Sequence, residues 1–492
     1  MNTQIRRLGI ALVVLFLAMI VQLNVLQVIK ADDLASDPRN SRNAERDFGQ
    51  QRGRILTADG KVLAGSSKNP DTQSRYGYVR EYPGGSLYGH LTGYFSFVYG
   101  TTGVEHSYNA DLAGRKVTLS PQRLRDLLAS KTVTSDVTLT IDDRIQRVAA
   151  KALGNRRGSV VALDPRSGAI LAAVSTPRFD PTPLASTDIG MTRTAYERLR
   201  DDPTKPLLAR FYRERYPPGS TFKAITAATG LETQVIDLTA PEYPQLRELP
   251  LRFTQRPLRN FGGSECGGTL DVVFRVSCNT AFAQLGLDLG PDRLHDGAVA
   301  FGFNRTPPLD LSPGAAASTF PEVQFFNRND PQLAQAAIGQ GEVAATPLEM
   351  ALVASAVANG GVIMEPHVMR EVRNSDGTKV RGEPRNEWRR AVSEETAATI
   401  RDLMVDVVNA GTAQRIAIAG IQVAAKTGTA QTGRKTAHAW IIGFAPADKP
   451  TVAVAVIVEN QPEVSTATGG RVAAPVARQV LEAALAAQAG RR

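Results

Sequence analysis

The run Leu8–Ile29 leaves this chain the least freedom. Leu8 to Val21 is continuously apolar, Gly9 included, and the character continues through Leu23, Val25, Leu26, Val28 and Ile29 with Gln22, Asn24 and Gln27 interspersed. A bilayer interior offers no water to backbone N–H and C=O groups, so a segment of this length crosses it as a helix, which satisfies them internally. Arg6 and Arg7 precede the run and favour a cytoplasmic N-terminus. No small-x-small cleavage pattern stands before Lys30, and Ala31, Ala35 and Ser36 form no clear site. An uncleaved signal-anchor is therefore expected rather than a removed signal peptide. Residues 1–30 read as cytoplasmic tip and transmembrane anchor, with the rest of the chain outside the membrane.

At 492 residues, two or three domains are expected. Hydrophobic content of 42% and charged content of 21% exclude a disordered or fibrous class. The formal net charge of +9 does not carry a nucleic-acid reading, because no zinc-finger spacing, aromatic–basic interleaving or dense basic helix accompanies it. Beside a membrane it fits anionic lipid or an anionic wall polymer, and equally a plain solvated surface. The five histidines lie far apart, and no metal site or cofactor is indicated. Cys266 and Cys278 are the only cysteines. An oxidising compartment permits a disulfide between them, and two separate buried thiols are the other reading.

Residues 31–140 read as a small, elongated, mostly extended pedestal. Ala31–Gln51 is a polar tether, and Arg52–Ala64 forms two short strands joined at Asp59-Gly60, a strong hairpin signal. Gly103–Asn109 starts a short helix that ends before Gly114. Residues 141–492 then carry the strand pair Gly158–Leu163 and Ala169–Ser175, and helices over Leu348–Asn359, Glu394–Val408 and Ala473–Ala487. Strands follow at Val423–Ala425, Trp440–Ala445 and Val452–Glu459. Arg178–Arg215 reads as an irregular surface insertion and Glu371–Arg390 as an exposed hairpin or loop. The expected class is α+β, an antiparallel sheet drawn from distant parts of the chain with a helical lobe between.

Chemistry concentrates in three places. Tyr216-Pro217-Pro218-Gly219-Ser220-Thr221-Phe222-Lys223 is a proline-glycine turn entering a helix, which puts Ser220 in its first turn and Lys223 one turn on. A serine hydroxyl needs a base, and a desolvated lysine crowded by another cation supplies one. Ser277-Cys278-Asn279 lies between two helical pieces, and Lys426-Thr427-Gly428-Thr429 at a strand end. Ser277 is placed to pass a proton to a leaving nitrogen, and Asn279 to hold Lys223 and a substrate amide. Lys426 holds Lys223 deprotonated and attracts a carboxylate, which Thr427 and Thr429 also meet, while Gly428 admits close approach. The backbone amides of Ser220 and Thr429 form the expected oxyanion hole. Taken singly, each residue is as well read as a cap, a turn or a solvated lysine; three ordered motifs together are not.

The trio, in order and type, resembles that of the penicillin-binding and serine β-lactamase enzymes. Over nearly the whole length the chain is similar to class B penicillin-binding proteins, monofunctional peptidoglycan D,D-transpeptidases. The resemblance rests also on Arg52-Gly53-Arg54-Ile55 with Asp59-Gly60, Gly103-Val104-Glu105 through Leu112-Ala113-Gly114, Gly339-Gln340-Gly341 with Thr346-Pro347, and Trp440–Pro446. Its composition and length look like the short actinobacterial subgroup linked to septation and cell shape. The resemblance implies the transpeptidase fold, cross-linking of peptidoglycan stem peptides with release of D-alanine, and acylation of Ser220 by β-lactams. It also implies a membrane glycosyltransferase partner of the shape, elongation, division and sporulation group. Where many relatives carry Asn-Arg-Ala before the active serine, this chain has Leu207–Arg210, with Arg210 as the stand-in. Two rival readings remain at this stage: a D,D-carboxypeptidase or β-lactamase of the same fold, and a non-catalytic penicillin-binding sensor or division scaffold.

Overall fold

The computed structural model describes residues 2–30, 48–114, 134–432, 436–462 and 468–490; most of the expected tether, Ala31–Gln51, lies outside them. Helix α1, Asn2–Asn24, continues as a wider π-type turn over Val25–Ile29. The span Thr3–Gln27 has a mean hydropathy of 2.5, and its most apolar window is not buried against any of the described residues. Apolar all round and long enough to cross a bilayer, it is a single-pass membrane anchor preceding the rest of the chain.

The next module is built on a charge node. Strands β1 (Ile55–Leu56), β2 (Val62–Lys68), β3 (Tyr78–Glu81) and β4 (Ser135–Leu139) surround buried Ile55, Leu63, Tyr82 and Val104. The β1–β2 turn runs through Gly60 at φ +88°, a conformation that glycine adopts without strain. Glu105, fully buried, accepts Arg52 Nε at 2.8 Å and Arg80 Nε at 2.6 Å. Arg80 also donates to the Gly53 carbonyl at 2.7 Å. A Cβ on Gly53 would stand 2.0 Å from the Ser135 carbonyl oxygen, so only glycine lets β1 pass β4 here.

The larger region follows. Asp142 caps α2 (Asp143–Leu153) by accepting from the Arg144 amide at 2.9 Å. Then come β5 (Gly158–Leu163), β6 (Ile170–Thr176) and α3 (Ile189–Asp201). Helix α4 is Lys223–Glu232, β7 Tyr243–Leu246, β8 Cys266–Gly268, α5 Leu270–Arg275 and α6 Asn279–Ala300, kinked at Gly290 (φ 75°) before Pro291. Helix α7 is Pro347–Ala358, β9 Met369–Asn374, β10 Lys379–Gly382 and α8 Glu394–Ala410. Strands β11 (Ala424–Gln431), β12 (Thr436–Ala445) and β13 (Val452–Pro462) and helix α9 (Ala474–Ala489) close the chain. The antiparallel sheet runs β11-β12-β13-β5-β6, which leaves β11 on an edge. Helix α7 packs on the sheet, and α2 packs with α9 against it. Strands covered on both faces read as unbroken apolar runs, as β5, β6 and most of β12 do.

Three expectations are corrected. Residues 178–215 are not irregular: they hold the 13-residue α3 and a buried turn, Arg210–Arg213. Charge misleads there because the Arg210 guanidinium is buried against Glu459 at 2.9 Å. The stretch from Glu371 is not a free hairpin, since β9 pairs with β4 and β10 pairs with β9. The resulting sheet, β10-β9-β4-β1-β2-β3, joins strands from both sides of residue 140. Finally, Lys426-Thr427-Gly428 sits inside β11 rather than at its end, with Lys426 opposite Ile442 and Gly428 opposite Trp440.

One core carboxyl carries a pH-dependent cost. Glu349, in the first turn of α7, is fully buried, with only the Ser318 hydroxyl and the Arg389 guanidinium to offset the loss of water around its carboxyl. Burial pushes its carboxyl up to about 8, with the Arg389 guanidinium pulling the other way. The folded state therefore holds a proton that the unfolded chain releases near pH 4.5, and stability falls as pH rises from there through about 8. Glu349→Gln is expected to match wild type near pH 4.5 and to exceed it by about 2–4 kcal/mol at pH 9. Denaturant unfolding of the full-length chain in detergent at the two pH values checks this.

Candidate active site

Ser220 lies on the 3₁₀ turn Gly219–Phe222, which runs directly into α4 at Lys223. Side chains three apart eclipse in such a turn, so Ser220 and Lys223 share a face. The turn is held from three sides. Gly219 N donates to Gly339 O (2.8 Å), Tyr216 and Ala345 exchange backbone hydrogen bonds (2.9 and 2.8 Å), and Trp440 Nε1 donates to Pro217 O (3.0 Å). Gly219 is at φ +55°, and a Cβ there would meet Thr429 O at 2.9 Å. The backbone at 219–220 thus lies directly against that of residue 429, where the two expected oxyanion amides belong.

Ser277 sits between α5 and α6 at φ +61°. Asn260, 5% exposed, fixes the loop: its Oδ1 accepts the amides of Asn279 and Thr280, both at 2.9 Å. Its Nδ2 donates to Leu246 O at 2.7 Å and Ser264 O at 3.1 Å. Cys278 is joined to Cys266 by a disulfide, which ties the same loop to β8. On the edge strand, a Cβ on Gly428 would meet Pro218 O at 2.8 Å, so the absence of a side chain lets β11 close on the serine turn.

The three motifs meet at two lysines, both fully buried. Lys223 Nζ donates to Ser277 O (2.7 Å), Asn279 Oδ1 (2.7 Å) and, at longer range, Ser277 Oγ (3.4 Å). Lys426 Nζ donates to Ser277 Oγ at 2.8 Å and to Thr427 O at 3.3 Å. The Ser220 hydroxyl makes no hydrogen bond among the described residues. Burial, and then the charge of Lys426, pulls Lys223 far below the lysine range, and burial takes Lys426 down to about 7. An amine whose hold on its proton is weakened in this way, beside a serine on the same face, is the chemistry of an activated nucleophile.

A groove of about 560 Å³ opens above these groups, lined by Ser220, Ser277, Asn279, Thr427, Gly428 and Thr429 among others. All the expected catalytic and substrate-binding residues except the two lysines line it, and the fully buried lysines stand beneath. Arg210 does not reach it: the guanidinium holds Glu459, Thr204 O and Lys205 O. A family model described as the penicillin binding protein transpeptidase domain matches residues 158–482.

The chain belongs to the penicillin-binding protein transpeptidase family.

A second model, the penicillin binding protein A dimerisation domain, matches residues 52–136 of this penicillin-binding protein. It is 42% identical over 499 residues to the peptidoglycan D,D-transpeptidase PbpA of Mycolicibacterium smegmatis, with 99% of each chain covered. The PbpA of Mycobacterium tuberculosis is 39% identical over 502 residues, again with 99% of each chain covered. The solved ceftriaxone acyl-enzyme of penicillin-binding protein A from M. tuberculosis superposes with a TM-score of 0.82 at 38% identity, covering 89% of this chain and 99% of that one.

Sequence reasoning missed two residues of this penicillin-binding protein's site. Asn260 organises the Ser277–Asn279 loop from 19 positions away in the chain, and a single asparagine before Phe261-Gly262-Gly263 carries no local signal of that. Thr412 follows the α8 terminus and lines the groove, its hydroxyl 2.6 Å from that of Thr427. The sequence pattern shows there only a helix over Glu394–Val408.

Proposed function

We infer that this penicillin-binding protein is a peptidoglycan D,D-transpeptidase in which Ser220 carries the acyl group. The convergence of Ser220 with a buried, proton-poor Lys223 in a groove edged by Thr427 and Thr429 carries the reading. Ser220 Oγ attacks the carbonyl carbon of the penultimate D-alanine and gives its proton to Lys223. The oxyanion is received by the amides of Ser220 and Thr429. Collapse breaks the C–N bond, and the departing nitrogen takes a proton from Ser277. The Ser277 hydroxyl already accepts from Lys426, so its own hydrogen is free to donate, and Lys223 replenishes it. A neighbouring stem-peptide amine then attacks the acyl-enzyme and regenerates Ser220. Thr427 and Thr429 hold the terminal carboxylate, which Lys426 attracts from beneath the groove, and Asn279 holds a backbone amide of the donor. A β-lactam follows the same path as far as the acyl-enzyme, the species named for the M. tuberculosis relative.

The division into residues 1–30 (anchor), 31–140 (pedestal) and 141–492 (catalytic domain) belongs to this reading, supported by the regions the two family models match. A membrane glycosyltransferase of the shape, elongation, division and sporulation group as the source of glycan strands belongs to the same reading. Intact mass of the full-length chain in detergent after benzylpenicillin tests the chemistry. Wild type is expected to gain one drug mass that persists for hours, and Ser220→Ala to gain none. An adduct retained in Ser220→Ala would sink the assignment of Ser220, and rapid drug turnover without an adduct would favour a β-lactamase. Transfer from a stem pentapeptide to an added amine separates the transpeptidase from a carboxypeptidase.

A further inference from the structure

Thr427 and Thr429 can bind an anion only by donating their single hydroxyl protons outward, because a carboxylate has acceptors and no donors. For Thr429 the direction is set by its neighbour: the Gly469 amide donates to its Oγ1 at 3.4 Å, which leaves the Thr429 hydrogen for the groove. Among the described residues no backbone amide donates to the Thr427 hydroxyl. Its Oγ1 lies 2.6 Å from the Oγ1 of Thr412, and in the free enzyme either hydroxyl is able to donate to the other.

Thr412 is placed for this by packing. It follows Gly411, the cap residue of α8, where a Cβ would meet Arg275 O at 2.5 Å; the turn therefore presses on the end of α5. From the other side, a Cβ on Gly470 would meet Thr412 O at 2.3 Å. The turn after α8 is thus wedged between the helix that leads to Ser277 and the segment that follows β13, with its hydroxyl on the edge strand.

We propose that Thr412 is a positioning residue for the substrate carboxylate: it donates to Thr427, so that Thr427 donates to the anion. This rests on the reading above, in which Thr427 holds the carboxylate. Two hydroxyls in series polarise one another, and the second donor is strengthened by the first. The arrangement orients Thr427 only for an acceptor in the groove, and so favours substrates and β-lactams with a free carboxylate over neutral ones.

Second-order acylation rate constants of the full-length chain in detergent, with benzylpenicillin and with its methyl ester, test the proposal. The acid-to-ester ratio cancels any difference in active fraction, which a general loss of folding would change. Wild type is expected to favour the acid, Thr412→Val to lose about tenfold of that ratio, and Thr412→Ser to keep it. A wild-type ratio in Thr412→Val, whatever the absolute rates, would overturn the proposal, as would a serine variant that behaves like valine. A wild type indifferent to esterification would instead overturn the carboxylate role of Thr427 itself.

Discussion

Replacing Lys223 with methionine is expected to slow acylation of Ser220 by benzylpenicillin about 10³-fold while leaving the fold intact. Methionine keeps the length and flexibility of the side chain and removes the amine. Lys223 is fully buried, and burial together with Lys426 holds it far below its ordinary range. The folded chain therefore binds this proton less tightly than the unfolded chain does, and below the unfolded range this lysine costs stability rather than adding it. The sign follows: the unfolded state binds the extra proton until pH approaches about 10.4, so stability rises with pH across the window from the folded value to there. Lys223→Met should flatten that part of the stability–pH curve, with Tm at pH 7 no lower than that of wild type by more than a few degrees. In wild type the acylation rate should rise with pH through the depressed value of Lys223. Stopped-flow acylation and thermal unfolding across pH measure both, and a variant that acylates at the wild-type rate would remove Lys223 from the mechanism.

The second large effect lies far from the serine in sequence. Glu105→Ala is expected to destabilise the full-length protein by about 3–5 kcal/mol, because it leaves the Arg52 and Arg80 guanidiniums buried without a counter-charge. Burial works against the ionised Glu105 carboxyl, but Arg80 and Arg52 outweigh it and hold the group below its usual range. The stability it contributes is present above the unfolded carboxyl range and is lost as pH falls through its folded value. Denaturant unfolding at pH 7 checks the magnitude. An unchanged midpoint would mean that the node adds nothing net to the fold.

Local signals in the chain were strong where one residue type has one physical use. The apolar run Leu8–Ile29, the turn at Asp59-Gly60, and the unbroken runs at Gly158–Leu163 and Val452–Glu459 all became the elements they announce. Charge was a poorer guide. Arg210 reads as surface and is buried, because Glu459, nearly 250 positions later, neutralises it. The strand at Met369–Asn374 reads as an exposed hairpin because its partner, Ser135–Leu139, lies more than 200 positions earlier.

By itself the sequence determined the anchor, the α+β class and the three motifs, since each is written in adjacent residues whose spacing has a direct geometric meaning. Tertiary structure alone decided what those motifs become together. Folding brings the Lys223 and Lys426 amines to the same Ser277, and removing water from both depresses them. It also delivers Asn260 and Thr412 to groups no local pattern connects them with. The physical reason is that desolvation, like-charge proximity and hydroxyl orientation depend on distances in space, and the chain specifies those only through its packed fold.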